Sequence, residues 1–320
     1  MKKKVAIFYS NRAEKSILDP VAKVIKDHGL SLLYHDFSEA IEIQEDKDLS
    51  KIYNYIYNYV DRENVGQVIL CGDRREMIFA ALALFLKNIP FTQLVAGDLS
   101  ESLSTVDDYF RHMITLISQK QISFSESSHQ NTKDLLKMLN IKPNATLLNQ
   151  YPSLWGAEPS SRKVKENYDL VLMHPQSLSR EKTIQDKEEV EALIQKSYYT
   201  ENKTIVIIKG NRDKNYEIFY DYWEVLEKRE SEDLYWSRQN GNVKIFENLK
   251  KEDFWSLIKY CDRFITNSSC SFYEAPAFLN LEQIIRIGDR NNGREIVKQN
   301  LEQKIDPKLI LSSILFNYER

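Results

Sequence analysis

A chain of 320 residues, 42% hydrophobic and 28% charged, has the composition of a folded globular protein and is long for one core but suited to two α/β domains. A net charge of −3 provides no basic excess for a nucleic acid or an anionic membrane surface, so neither partner is expected and any phosphate must be held locally. Three cysteines without a CxxC or zinc pattern argue against a disulfide framework and a metal site, and point to a reduced, cytoplasmic compartment.

The opening MKKKVAIFYSNRAE carries a basic cluster, but its apolar run is too short for a secretory core and predicts a strand at Val5–Tyr9. Further β-rich runs follow at Leu32–Tyr34, Gln67–Cys71, Phe91–Val95, Ile122–Phe124 and Thr146–Leu148. Helical stretches are predicted between them, at Glu14–Lys26, Leu49–Asp61, Arg75–Leu86, Asp108–Ser118 and Gln130–Leu139. The tyrosine-rich segment Ile52–Val60 reads as an amphipathic helix, and as a candidate contact between copies of the chain. A second strand series, Leu170–Met173, Thr204–Ile208, Val243–Phe246, Arg263–Thr266 and Gln283–Ile287, repeats the alternation. Such alternation predicts an α/β fold with two parallel sheets, each covered on both faces. Pro152, Gly156, Pro159 and the pair Ser160–Ser161 mark the connection between them. The expected organisation is a Rossmann-like domain over residues 1–155, a second over 156–304, and a helix in 305–320 that packs back on the first. Ligands in such sheets bind beyond the carboxyl ends of the strands, which would face a shared cleft.

Four strand ends carry residues with chemistry. Ser10–Ser16 follows the first strand without a GxGxxG fingerprint; Arg12 and Ser16 suit a phosphate, and a plain N-capped turn suits the segment equally. Asp73 and Arg74 follow the third strand, either as a base beside its electrostatic partner or as an N-cap. After the fourth strand come Asp98 and then Asp108, Arg111 and His112, which share one helix face; the alternative is a solvated, ion-paired helix start. In the second half His174 follows one strand, and Asn267–Ser268–Ser269 opens a helix after another, with Glu274 further into that helix.

Taken in order, SNRAEKS with Pro20, GDRREMIFAALALFLKNIPF, TVDDYFRHMITLIS, TNSSCSFYEAPAF and IGDRNNGRE, spread from Ser10 to Arg294, resemble the motifs of the UDP-N-acetylglucosamine 2-epimerases, and most closely their hydrolysing branch of sialic-acid-type pathways. The resemblance implies a GT-B-like fold of two Rossmann-like domains, no metal or redox cofactor, a UDP-sugar as the small-molecule partner, and a homo-oligomer, dimer or tetramer. It implies that UDP is bound mainly by the second domain. Ser268 and Ser269 would hold the diphosphate and Glu274 the ribose hydroxyls. His174, Arg12, Ser16 and Arg290 would neutralise the leaving group, with Asn211 near the nucleotide. Asp73, Asp108 and His174 would form the catalytic set, with Arg74 and His112 beside the substrate.

The reaction implied is UDP-GlcNAc plus water to ManNAc plus UDP, through elimination to a glycal and its hydration. The chain departs from the family pattern at Val95, where a polar residue is usual; at Gln93, where a histidine is; at Ser10; and at Ser271. Asp98 is placed to supply the carboxylate that Val95 cannot. Two alternatives follow: an epimerase for a modified sugar such as a UDP-2,4-diacetamido-trideoxyhexose, whose pocket would be more apolar, and a UDP-sugar-binding protein with an impaired site. Fold alone would also admit a glycosyltransferase, which the GDR and DDYFRH segments disfavour.

Overall fold

The computed structural model describes residues 3–37, 41, 48–100, 106–210, 212–232, 243–247, 249–302 and 306–316, apart from the side chains of Arg12 and residues 229–232. The chain divides into two compact units. One comprises Met1–Leu99, Asp107–Trp155 and Asn300–Arg320, the other Ser100–Val106 and Gly156–Gln299.

In the first unit the order is β1 (Lys4–Tyr9), α1 (Arg12–Asp27), β2 (Leu32–Asp36), α2 (Leu49–Arg62), β3 (Val65–Cys71), α3 (Arg75–Leu86), β4 (Phe91–Leu94), α4 (Asp107–Ile117), β5 (Lys120–Ser123), α5 (Glu126–Met138) and β6 (Ala145–Leu147). The strands are parallel and lie side by side as β2-β1-β3-β4-β5-β6. Residues on alternate sides of β1 and β3 are buried, Ala6, Phe8, Val68 and Leu70 on one face and Ile7 and Ile69 on the other. Helix α3 is apolar almost all round because it packs between α2 and α4 as well as on the sheet. The tyrosines of α2 turn partly inward: Tyr55 and Tyr59 stack on His35, and the Tyr55 hydroxyl meets His35 Nε2 at 2.8 Å.

The second unit runs β7 (Tyr168–Leu172), α6 (Arg180–Gln195), β8 (Thr204–Ile208), α7 (Glu217–Glu232), β9 (Val243–Phe246), α8 (Lys251–Tyr260), β10 (Arg263–Thr266), α9 (Cys270–Tyr273) and β11 (Ile284–Arg286). Its parallel sheet is ordered β11-β10-β7-β8-β9. Leu170, Leu172, Val206 and Ile208 enter one core, while Val171, Ile205 and Ile207 enter another on the opposite face. That double burial is why these strands read as unbroken apolar runs. A last helix, α10 (Pro307–Ile314), belongs to the first unit. Thr92 Oγ1 donates to the carbonyl of Ile314 at 2.7 Å, and the Phe316 amide donates to Gln67 Oε1 at 2.7 Å.

Each sheet has a point where the chain reverses its direction of growth. In the first, β1 lies between β2 and β3, so the loops after β1 and β3 diverge; in the second, β7 lies between β8 and β10. Crevices at such switch points are where open α/β sheets bind ligands.

Candidate active site

At the first switch point β1 runs out at Tyr9, and Asn11 caps α1 by accepting the Glu14 amide at 2.9 Å. Glu14 turns back on the loop: its Oε2 accepts the Ser10 amide at 2.7 Å and the Ser10 hydroxyl at 3.1 Å. The side chain is 3% exposed, and burial pushes its carboxyl up to about 8, against the Ser10 hydrogen bonds and the positive charge of Arg74. The loop after β3 covers it. Gly72 has φ +105, and a Cβ there would lie 2.7 Å from Glu14 Oε1, so glycine is required both for the turn and for the approach.

Asp73 does not cap α3, whose N-cap is Arg74 and makes no side-chain capping hydrogen bond. Its carboxylate is instead ion-paired with Arg111 of α4. Arg111 is 1% exposed; its Nη1 donates to Asp108 Oδ1 at 2.7 Å and to the Asp98 carbonyl at 2.6 Å. The pair at the start of α4 is therefore not the solvated helix start of the alternative reading. A buried arginine bound to two carboxylates holds them together. Gln93 is fully buried and ties β4 to α4, donating to the Arg111 carbonyl at 2.9 Å and accepting from Thr115 Oγ1 at 2.8 Å. These bonds help to seat the turn of α4 that carries Arg111. His112 is partly buried, and desolvation followed by the Arg111 charge lowers its pKa, with Asp108 opposing.

β4 ends one residue short of the expected Val95. Val95 has φ +61, and every other non-glycine residue with positive φ among the described residues is an asparagine. A β-branched residue held there costs on the order of 1–3 kcal/mol, a strain that clusters at functional sites. Gly97 follows with φ +72 because a Cβ would come within 2.0 Å of the Ser128 carbonyl.

At the second switch point His174 follows β7 and Asn267 follows β10. Asn267 clamps the histidine, accepting its amide through Oδ1 and donating through Nδ2 to its carbonyl, both at 2.8 Å. Behind them Asp186 of α6 accepts from Gln176 Nε2 and Asn267 Nδ2, each at 3.0 Å, and burial raises its pKa. Desolvation first, and the Arg290 charge second, hold the His174 ring down to about 4, while Asp213 acts the other way. The ring is therefore neutral at pH 7 in the free protein. In that state it is a hydrogen-bonding group or a proton acceptor, and a diphosphate beside it would raise its pKa.

Ser268 is buried, its Oγ 3.4 Å from the Cys270 amide, whereas Ser269 is half-exposed and makes no cap hydrogen bond. The helix they open is a single turn. Glu274 stands at its C-cap, half-exposed, rather than further inside, because Pro276 prevents continuation.

The family profile described as UDP-N-acetylglucosamine 2-epimerase matches residues 21–314. The chain belongs to the UDP-N-acetylglucosamine 2-epimerase family. Among curated relatives it is 26% identical over 268 residues to the GDP/UDP-N,N'-diacetylbacillosamine 2-epimerase (hydrolyzing) of Campylobacter jejuni, covering 81% of this chain and 66% of the relative. It is 24% identical to the polysialic acid biosynthesis protein P7 of Escherichia coli, covering 77% and 60%. It is 26% identical to the UDP-N,N'-diacetylbacillosamine 2-epimerase (hydrolyzing) of Legionella pneumophila, covering 73% and 59%. The chain thus spans less than two thirds of the length of these family members. Among solved structures of the epimerase fold, S. aureus MnaA with UDP aligns with a TM-score of 0.70 at 14% identity, over 91% of this chain and 82% of that one. The UDP-GlcNAc 2-epimerase of Methanocaldococcus jannaschii in complex with UDP-GlcNAc and UDP gives 0.69 at 15%, over 93% and 96%. At such identities the likeness shows the fold, two parallel-sheet Rossmann-like units of the GT-B-like kind.

Set against these family positions, Asp73, Asp98 and Asp108 come together on Arg111, although Asp98, 2% exposed, joins through its main-chain carbonyl. Arg74 pairs with Glu76 at 3.2 Å, and the Ser16 hydroxyl donates to the Ala13 carbonyl of its own helix at 2.7 Å. Asn211 and the side chain of Arg12 lie outside the described residues. Glu14, Asn267 and Asp186 are additions to the sequence-based site. Asn11 and Glu14 stand at capping-box spacing, which announces a helix start and conceals the buried carboxyl.

Proposed function

We propose that the protein is a hydrolysing 2-epimerase acting on a UDP-activated 2-acetamido sugar. The observation that carries the reading is the pairing of Asp73 and Asp108 with one buried arginine at a switch point, which keeps an ionised base at a strand end. The names of the hydrolysing relatives agree with it. In this reading Asp73, with Asp108 beside it, takes the C2 proton. The C–H electrons form the C1–C2 double bond as the C1–O bond breaks, and UDP departs with that electron pair. Water then adds across the glycal, hydroxyl to C1 and proton to the opposite face of C2, leaving the free 2-epimer.

We assign UDP to the second unit. Ser269 and Ser268 would take the diphosphate, Glu274 the ribose hydroxyls, and Arg290 with His174 the departing charge, joined by Arg12 and Ser16. Residues 1–155 would then be the proton-transfer domain and 156–304 the nucleotide domain. A homo-oligomer in the cytoplasm is part of the proposal, the compartment supported by three buried free thiols, Cys71, Cys261 and Cys270.

A specific observation favours a 2,4-diacetamido-trideoxy sugar over GlcNAc. Val95 puts an apolar, strained residue at the end of β4, and two relatives are named for diacetylbacillosamine. Proton NMR in deuterated water, with each UDP-sugar in turn, decides. UDP release with deuterium at C2 of the free sugar supports the reading, with the faster substrate naming the sugar; no release from either sinks it. A raised rate on UDP-GlcNAc in Val95→Glu would identify Val95 as the residue that selects the sugar.

A further inference from the structure

Glu14 has no assigned role, yet it is a deeply buried acid at the first switch point. Its two oxygens differ sharply. Oε2 accepts both the amide and the hydroxyl of Ser10, while Oε1 is buried against Gly72 and makes no hydrogen bond with any described residue. An ionised carboxylate would leave that second oxygen unsolvated in a closed space, whereas a protonated one places its hydrogen there. Among the described residues, the charged and titratable groups acting on it are Arg74 and Asp73 from the loop after β3 and Cys71 from the end of that strand. Asp73 carries its negative charge on Arg111, and the Cys71 thiol, raised well above its usual range by burial, stays neutral.

We infer that Glu14 rests protonated in the free protein, with the proton on Oε1, near an Asp73 that carries its charge on Arg111. Glu14 is then a positioning residue for the base assigned above, and this part of the inference rests on that assignment. Arg111 favours the charge on Asp73, which it touches. The neutral neighbour lets Asp73 hold its charge without a second buried anion close by. Burial lifting Glu14 to about 8 agrees with the geometry.

The test is carbon-13 NMR of the full chain labelled at glutamate and aspartate carboxyls, titrated from pH 4 to 10 with wild type, Glu14→Gln and Asp73→Asn. One glutamate resonance, missing from Glu14→Gln, is expected to titrate with a midpoint near 8. The resonance missing from Asp73→Asn should shift at that same pH in wild type and not in Glu14→Gln. If the Glu14 resonance titrates in the ordinary range near 4.5, or Asp73 ignores the step near 8, the inference is overturned. Should Glu14→Gln fail to fold, Ser10→Ala serves in its place. It removes a hydrogen bond that favours the ionised form, so one glutamate midpoint must move further up, and an unmoved set of midpoints overturns the inference equally. These readouts need no substrate, so their failure is distinct from a failure to turn over UDP-sugars. With a substrate in hand, the rate profile should inflect near pH 8 in wild type alone.

Discussion

At the ends of β1 and β3 the first unit places Glu14 and Asp73, and Asp73 meets Asp108 of α4 on one buried arginine. At the ends of β7 and β10 the second gathers neutral groups, the His174 ring, Asn267 and Ser268, over a buried Asp186. Both places are switch points of parallel sheets, so topology alone treats them alike. Side-chain chemistry separates them. Carboxylates fixed by an arginine suit proton transfer. Uncharged donors and a depressed histidine, with Arg290 nearby and Asp213 opposing it, suit the binding of an anion better than the removal of a carbon-bound proton.

The sharpest way to break this contrast is to remove the arginine. Arg111→Leu would leave the part-buried carboxylates of Asp73 and Asp108 and the Asp98 carbonyl without their partner, costing about 1–3 kcal/mol. For a unit of this size that lowers Tm by roughly 2–12 °C; a loss under about 0.5 kcal/mol would mean that Arg111 does not hold the first site together. Next, Asp73→Asn should cut turnover by about 10²–10⁴-fold while calorimetry finds UDP affinity unchanged. Parallel loss of both would erase the division of labour between the two sites.

The second site has the complementary signature. Ser269→Ala should weaken UDP by about tenfold, with its largest effect on affinity and not on the chemical step. His174 supplies the pH counterpart. Between about 4 and the ordinary 6.5 the unfolded chain binds a proton that the folded one does not, so stability falls as pH drops through that window. Urea midpoints of wild type and His174→Gln should converge as the pH falls from 7 to 4.5; parallel curves would mean that the ring is not held neutral. The smallest effect belongs to Val95→Gly, which relieves the positive φ and should raise stability by about 1 kcal/mol or less. A loss instead would show that packing outweighs backbone strain at the end of β4.

The alternation of apolar strand runs with amphipathic helices, the two parallel sheets and the family motifs were all legible in the sequence. Burial on both faces leaves unbroken runs such as Thr204–Ile208, and helix faces leave a repeat in the one-dimensional text. Strand ends are therefore also legible, which is how Asp73, Asp108, His174 and Ser268 come to notice one by one. What the text cannot carry is which charge meets which across long separations. Arg111 reaches Asp73 from 38 residues away and Asn267 clamps His174 from 93 away, pairings set by strand order. The left-handed turn at Val95 was equally invisible, since valine in sequence announces a strand. Burial of Glu14 was hidden by its capping-box spacing: local chemistry explains a glutamate three residues after Asn11, and only the close approach of Gly72 encloses it. Sequence by itself thus determined the fold class, the family and where strands end. Tertiary structure decided which groups are desolvated together, because desolvation depends on neighbours that only folding brings near.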